Sequence, residues 1–292
     1  TDLSLHPYHL PGGFKLSLPD CAERLNRTCV SDKTFSPRGH SSVISGIVVS
    51  PDGRFYLSWC YNSPIIKVWK RHGGLAHELV RPNKEAGSVV IMPDSKHCII
   101  GYNGGDVFIW SLETGLCEKQ FRWNSDRYWG KKLNIINYTK CIFGSYDGCY
   151  YIYDICTGKQ MRSTPAPARW IDVTAVMPDG KRCIIRSYGI NKLWISDVST
   201  GEISLEFDNG SRPIKDVRLT SDGRLCAIMS NDKSIRIWDI EHNATYRLKG
   251  HADNILSIDV FPDNRHCVSG SYDGTMRIWD MYSKKCIQTV KG

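Results

Sequence analysis

The sequence predicts an all-β fold built from one short unit repeated along the chain, and three recurring markers carry that prediction. An apolar run closing on an aromatic residue returns as IIKVW at Trp69, VFIW at Trp110, YYIY at Tyr153, IRIW at Trp238 and MRIW at Trp279, at intervals of 41, 43, 85 and 41 residues. A turn tetrapeptide keeps the same beat: SPDG around Asp52, MPDS around Asp94, MPDG around Asp179, TSDG around Asp222 and FPDN around Asp263. Cysteines follow it too, with Cys98, Cys141, Cys183, Cys226 and Cys267 standing 43, 42, 43 and 41 residues apart. Self-similarity at a fixed period of this length is the mark of a repeat architecture. The interval of 85 is two periods with a weaker copy between them, in which NKLWISD shifts Trp194 two residues from the expected place.

Each unit resolves into four strands, most plainly in the last copy. ILSIDVF is a first strand, and PDN turns the chain. RHCVSGS is the second, and YDG turns it again. TMRIWD alternates polar and apolar residues as the third; a loop over residues 281–284 leads to KCIQTV as the fourth. Short strands separated by Gly, Asp and Pro turns are the all-β signal. No segment holds a helical period for three turns.

At these residues a family resemblance enters. GHADNILSIDVFPDNRHCVSGSYDGTMRIWD, from Gly250-His251 to Trp279-Asp280, resembles a WD repeat nearly position by position. The resemblance covers residues 40–292 as six repeats, strongest in the last two. It implies a β-propeller of four-stranded antiparallel blades around a channel. Residues 1–39 are about one period long and end in KTFSPRGH, in phase with RLKGH at residues 247–251. Seven blades are therefore expected, the seventh a degenerate N-terminal one; a strap-like segment is the alternative for residues 1–39. The expectation for the whole chain, residues 1–292, is a single propeller domain.

Composition sets the outer bounds. With 41% hydrophobic and 23% charged residues the chain has ample apolar content for a core, which excludes a disordered protein. No apolar run approaches the roughly 18–20 residues of a spanning helix. The net charge of +8 is spread along the chain, not gathered into runs. The chain has 12 cysteines, none spaced as a metal-binding CxxC; one thiol per repeat reads as a small buried hydrophobe. Reduced thiols point to the cytoplasm, or the nucleus. Phosphate-loop, dinucleotide, zinc-protease and serine-hydrolase motifs do not occur, so no cofactor and no enzymatic activity are expected. The first residue, Thr1, suggests a piece of a larger protein or complex.

The most chemical-looking constellation is structural by the same resemblance. His251, Ser269, Asp273 and Trp279 invite a hydrolase reading. In WD repeats those positions form a hydrogen-bonded chain inside each blade, because a buried indole N–H and hydroxyl need partners. The first unit keeps His40, Ser58 and Trp69, the third keeps Asp147, and the fifth keeps Asp232 and Trp238. Binding is expected on loops at the rim. One candidate set is the turn position before the Asp slot, where Tyr61, Tyr146, Tyr188 and Tyr272 line the mouth of the channel or are mere repeat consensus. The other lies in the loops DRYWGKK, PARWID and SRPIKD, with Arg127, Tyr128, Trp129, Arg169, Trp170, Arg212 and Lys215. Alternatively, Trp129 and Trp170 replace missing histidines by packing between blades. Exposed Arg, Tyr and Trp are residues of interface hot spots. The expected function is a non-catalytic scaffold or ligand-sensing module that binds a protein or peptide. The second expectation is an RNA-associated protein using the same basic-aromatic surface.

Overall fold

In a computed structural model the described residues are 40, 42–60, 63–81, 86–102, 104–123, 132–187, 190–230 and 232–291. They form six four-stranded sheets, each made of four strands consecutive in the chain. The first sheet is β1 (Ile44–Val49), β2 (Phe55–Cys60), β3 (Ile65–Lys70) and β4 (Leu75–Val80); the second is β5 (Ala86–Ile91), β6 (His97–Tyr102), β7 (Asp106–Ser111) and β8 (Cys117–Arg122). The third is β9 (Leu133–Asn137), β10 (Lys140–Gly144), β11 (Cys149–Asp154) and β12 (Gln160–Pro165). The fourth is β13 (Ile171–Val176), β14 (Arg182–Ser187), β15 (Lys192–Asp197) and β16 (Ile203–Asp208). The fifth is β17 (Ile214–Leu219), β18 (Leu225–Ser230), β19 (Ser234–Asp239) and β20 (Ala244–Lys249). The sixth is β21 (Ile255–Val260), β22 (His266–Ser271), β23 (Thr275–Asp280) and β24 (Lys285–Lys291).

Six sheets stand where seven blades were expected: the preference for seven finds no support in the described residues, and residues 1–39 lie outside them. The chain divides into two compact units, Thr1–Arg122 and Trp123–Gly292. The first holds sheets one and two, the second holds sheets three to six.

Turn chemistry explains the repeating joints. In the first-to-second strand turn, an Asp carboxylate accepts backbone N–H groups two or three residues on, as Asp179 does from Lys181 and Arg182 and Asp263 from Arg265 and His266. Such side-chain-to-backbone bonds fix the turn without a ladder partner.

The cores follow one rule. Cross-strand partners share a face of a sheet. One face of each sheet carries the aromatic marker, and it lies on the opposite face of the preceding sheet within its unit. In the first unit, Leu57, Ile66, Val68 and Leu79 pack on Val89, Cys98, Ile100 and Trp110. In the second, Ile142, Tyr150 and Ile152 pack on Val173, Cys183 and Ile185. Ile184, Leu193, Ile195 and Phe207 pack on Val217, Cys226, Ile228 and Trp238. Ala227, Met229, Ile235, Ile237 and Leu248 pack on Ile255, Ile258, Cys267 and Trp279. Burial of each large side chain contributes about 1.5–3 kcal/mol.

The five periodic thiols are fully buried, and burial pushes Cys141, Cys183 and Cys267 up to about 12. All ten described cysteines are free. Close approach of sheets three and four needs Gly144, since a Cβ there would stand 2.5 Å from the Ile171 carbonyl oxygen. In the fourth sheet Arg186 faces Asp172 across the strands. Its guanidinium donates to the Asp172 carboxylate at 3.0 Å and to the Lys215 carbonyl at 2.6 Å, tying that sheet to β17.

Candidate binding surface

The polar chain inside the sixth sheet is complete. His251 Nδ1 lies 2.8 Å from Asp273 Oδ2, His251 Nε2 lies 2.7 Å from Ser269 Oγ, and Trp279 Nε1 donates to Ser269 Oγ at 2.9 Å. His251 and Ser269 are buried, and the hydroxyl is engaged by both the imidazole and the indole N–H. The hydrogen bond from the Thr275 hydroxyl, followed by those from His251 and the Ala252 and Thr275 N–H groups, holds the Asp273 carboxyl well below the usual range. The first sheet repeats the core of this chain, with His40 Nε2 2.7 Å from Ser58 Oγ and Trp69 Nε1 donating to the same oxygen at 2.8 Å.

Elsewhere the slots are filled differently. Ile100 and Gly104 stand in the Ser and Asp places of the second sheet, and Trp110 Nε1 is buried without a partner among the described residues. In the third, Asp147 accepts from the Tyr151 hydroxyl at 2.6 Å instead of a histidine. In the fourth, Ser196 occupies the aromatic slot opposite Cys183, and Tyr150 of the third sheet reaches it at 3.1 Å. The displaced Trp194 donates to Glu206 at 2.9 Å. In the fifth, Ile228 offers no hydroxyl; Trp238 Nε1 turns to Asn243 Oδ1 at 3.0 Å, and Asp232 takes Arg212, Ser230 and Ser234.

Three of the rim candidates come together in the second unit. Trp170 is 56% exposed and its ring stands edge-on to Tyr146, with centroids 6.4 Å apart. Arg169 beside it is exposed. Trp170 does not pack between sheets, so it is no replacement for a missing histidine. Its backbone is left-handed, with φ of 55°. That region is costly for a residue with a bulky side chain and persists only when surrounding bonds enforce it. They do: Ala166 N–H donates to Gly148 O at 2.8 Å, Trp170 N–H to Tyr146 O at 3.3 Å, Ile171 N–H to Ser145 O at 3.1 Å, and the Ser187 hydroxyl to Arg169 O at 2.8 Å. Gly148 permits the approach, since a Cβ on it would meet the Ala168 carbonyl at 3.0 Å.

The other candidates stand apart from this group. Arg212 pairs with Asp232 of the loop between β18 and β19. Lys215 has an exposed side chain, and its carbonyl is taken by Arg186. Tyr272 is 69% exposed. Tyr61, Arg127, Tyr128, Trp129 and Tyr188 lie outside the described residues. No group of His, Cys, Asp and Glu among the described residues has the arrangement of a metal site, and no helix there is long and apolar enough to cross a membrane. Sequence reasoning missed the Asp172–Arg186 pair and its charged neighbours Lys132, Asp216 and Arg218. Burial pulls the Lys132 ammonium below its usual value, with Arg218 adding to the effect. The basic loop beside KK at residues 131–132 was the available signal.

Comparison with known proteins adds the family context. Residues 202–239 and 243–280 match the model of the WD domain, G-beta repeat. The chain is 30% identical over 135 residues to the WD repeat-containing protein SL1-17 of Schistosoma mansoni, a match covering 46% of this chain and 44% of that protein. It is 24% identical over 140 residues to Protein groucho of Drosophila melanogaster, covering 45% of this chain and 19% of that one. The matches thus span less than half the length of either relative. Among solved structures, the β-propeller domain of Cps50 (Swd1) from Myceliophteria thermophila superposes with a TM-score of 0.71 at 15% identity, covering 87% of this chain and 88% of the other.

Proposed function

From a chain that is a WD-repeat β-propeller, we propose a non-catalytic scaffold that binds a protein or peptide through the loop 166–171 and Tyr146. WD-repeat propellers generally act as protein-interaction scaffolds, so the class is the family's and the place is this reading's own. The observation that carries it is Trp170. A large aromatic side chain is held toward solvent by a left-handed backbone and four hydrogen bonds, beside a second ring and an exposed Arg169. Strain of this kind clusters at functional positions, and rigid aromatic and Arg anchors dominate interface energetics. Arg169 favours a partner segment bearing carboxylates. The chain acts in the cytoplasm or nucleus on this reading, as its free thiols favour.

The test is affinity capture of the native chain against an Arg169→Ala/Trp170→Ala variant, with folding of both checked by thermal melting. Retention of the captured protein is expected to fall by about tenfold or more, the scale of one lost hot spot. Equal capture by the variant would sink the assignment. RNA in the captured material, lost steeply as salt rises, would replace a protein partner with the nucleic-acid reading, which the scattered positive charge otherwise supports only weakly.

A further inference from the structure

In β19 the position two residues ahead of the tryptophan slot is Arg236, directly opposite Arg247 of β20. The same register position in other sheets faces a carboxylate or a neutral residue. Lys67 of the first sheet stands opposite Glu78 and pairs with it at 3.0 Å. Trp194 of the fourth stands opposite Glu206 and donates to it at 2.9 Å. Arg277 of the sixth stands opposite Thr289, and its guanidinium lies over the Trp279 ring, 6.0 Å from the centroid. Residues directly opposite in an antiparallel pair have Cβ atoms about 4.5–5.5 Å apart, and like charges there repel. The fifth sheet thus has a second cation where the first and fourth have a carboxylate.

Arg236 is half-buried, and its guanidinium makes no hydrogen bond or ion pair among the described residues; its Nε is closed off from solvent as well. Burial, and then the charge of Arg247, pull that guanidinium below its ordinary pKa. Arg212, from the loop ahead of β17, completes the cluster. Asp232 Oδ2 pairs with Arg212 and lies 3.5 Å from an Arg247 nitrogen. Asp232 Oδ1 accepts from the Ser230 hydroxyl at 3.1 Å and from the Ser234 hydroxyl and N–H at 2.8 and 3.2 Å. The Arg212 loop is tied down in turn, since Asn209 Nδ2 donates to the Arg212 carbonyl at 2.7 Å. The Asp232 side chain is 5% exposed, whereas those of Arg212 and Arg247 are 43% and 36% exposed. A buried carboxylate therefore anchors two guanidinium groups whose remaining donors reach solvent.

The surrounding charges do not cancel the excess. Asp208, the other carboxylate acting on Arg236, lies 3.8 Å from Lys192 Nζ. Lys249, two residues beyond Arg247 on the same face of β20, is exposed and adds a further cation. Three guanidinium groups face one carboxylate, an excess of two positive charges. A carboxylate ligand would bring one charge and two oxygens. A phosphate monoester brings about −1.5 to −2 at pH 7 and three acceptor oxygens, which guanidinium forks match in charge and geometry.

We propose that Arg212, Arg236 and Arg247 form a binding site for a phosphate monoester dianion, with Asp232 holding two of the three arginines in place. The site belongs to the fifth sheet and shares no residue with the Arg169–Trp170 loop.

The test is titration calorimetry of the full chain, in buffer free of phosphate and sulfate, with end-capped phosphoserine and inorganic phosphate as probes. The native chain is expected to bind, and Arg236→Gln to bind at least about tenfold more weakly, the scale of one lost charge-assisted contact. Without ligand, Arg236→Gln should melt no lower than the native chain, because it loses no partner and escapes a like charge. The Arg169→Ala/Trp170→Ala variant should bind both probes as the native chain does, so the failure of one assignment is distinguishable from failure of the other. Tighter binding of phosphoserine than of inorganic phosphate marks a phosphorylated protein segment as the source; equal binding marks a small phosphorylated ligand. No binding of either probe at millimolar concentration overturns the proposal, and so does undiminished binding by Arg236→Gln. A lowered melt of Arg236→Gln overturns it too, by making the residue a structural partner. Tighter binding of a single-stranded oligonucleotide without terminal phosphate than of both probes also overturns it, because the arginines then read a phosphodiester backbone.

Discussion

The sixth and second sheets solve the same problem in different ways. Both pair a buried cysteine with a buried tryptophan, Cys267 with Trp279 and Cys98 with Trp110. In the sixth, the indole N–H ends a chain through Ser269 and His251 to Asp273. In the second, an isoleucine and a glycine hold the corresponding places and the indole N–H is left unpaired among the described residues. A buried donor without a partner costs about 1–3 kcal/mol, yet the second sheet has the same strands, order and register. The apolar lattice thus specifies the sheet, and the polar chain adds stability and rigidity to a sheet already specified. The third, fourth and fifth sheets support this view, because each pairs its aromatic group with a different residue: Tyr153 with Gln160, Trp194 with Glu206, Trp238 with Asn243.

The largest expected effect separates the two tryptophans. Trp279→Phe loses packing and takes one of the two partners from the Ser269 hydroxyl, and should cost about 3 kcal/mol; Trp110→Phe loses similar packing but removes the orphan donor, and should cost about 1 kcal/mol. Urea unfolding of both variants measures the gap, and equal costs would break the comparison. A smaller effect compares the two intact chains. Ser269→Ala should cost about 2 kcal/mol, and Ser58→Ala about 1 kcal/mol, because Trp69 and His40 are half-buried and water can take the place of the hydroxyl. A reversed order in thermal melts would remove burial as the reason.

The smallest effect is in pH. Asp273 is held well below the ordinary carboxylate value by the Thr275 hydroxyl and His251. In Asp280, burial pushes the carboxyl up but Arg265 and the Ser283 and Tyr282 N–H groups outweigh it and bring it to about 2. A lowered value means that the folded chain keeps the charge longer than the unfolded chain. The stabilisation is therefore complete above the ordinary value of 3.8 and is lost as pH falls toward 2. The second sheet has Gly104 where Asp273 stands. Hydrogen exchange between pH 4 and 2 should therefore show β22 and β23 losing protection ahead of β6 and β7. The opposite order would place the acid sensitivity elsewhere.

Much of the fold was legible because period, turn and strand marker are all local. The turn aspartates, the cysteine column and the tryptophan slot recur in one phase, and the observed strands fall where those markers put them. The shift of Trp194 was legible too, and register gives its meaning: Ser196 sits opposite Cys183. What could not be read were partners supplied by a neighbouring sheet or a fourth strand. Tyr150 reaching Ser196, and Arg186 reaching Lys215, depend on how one sheet is stacked on the next. Composition marked Trp170 as a candidate, but its left-handed backbone is set by bonds to Tyr146 and Ser187, which are distant in sequence.

Every sheet is built from strands that follow one another along the chain, and the widest first-to-second pairing in the first sheet, Ile44 with Cys60, spans 16 residues. Pairing therefore requires only the closure of short loops, whose entropic cost is small, and relative contact order within a sheet is low. During synthesis each sheet can zip as soon as its own forty or so residues have left the ribosome, roughly 2–8 s of elongation at about 5–20 residues per second. The slow, aggregation-exposed step is then not strand pairing but the stacking of finished sheets, and the order of emergence from the ribosome becomes the order of assembly.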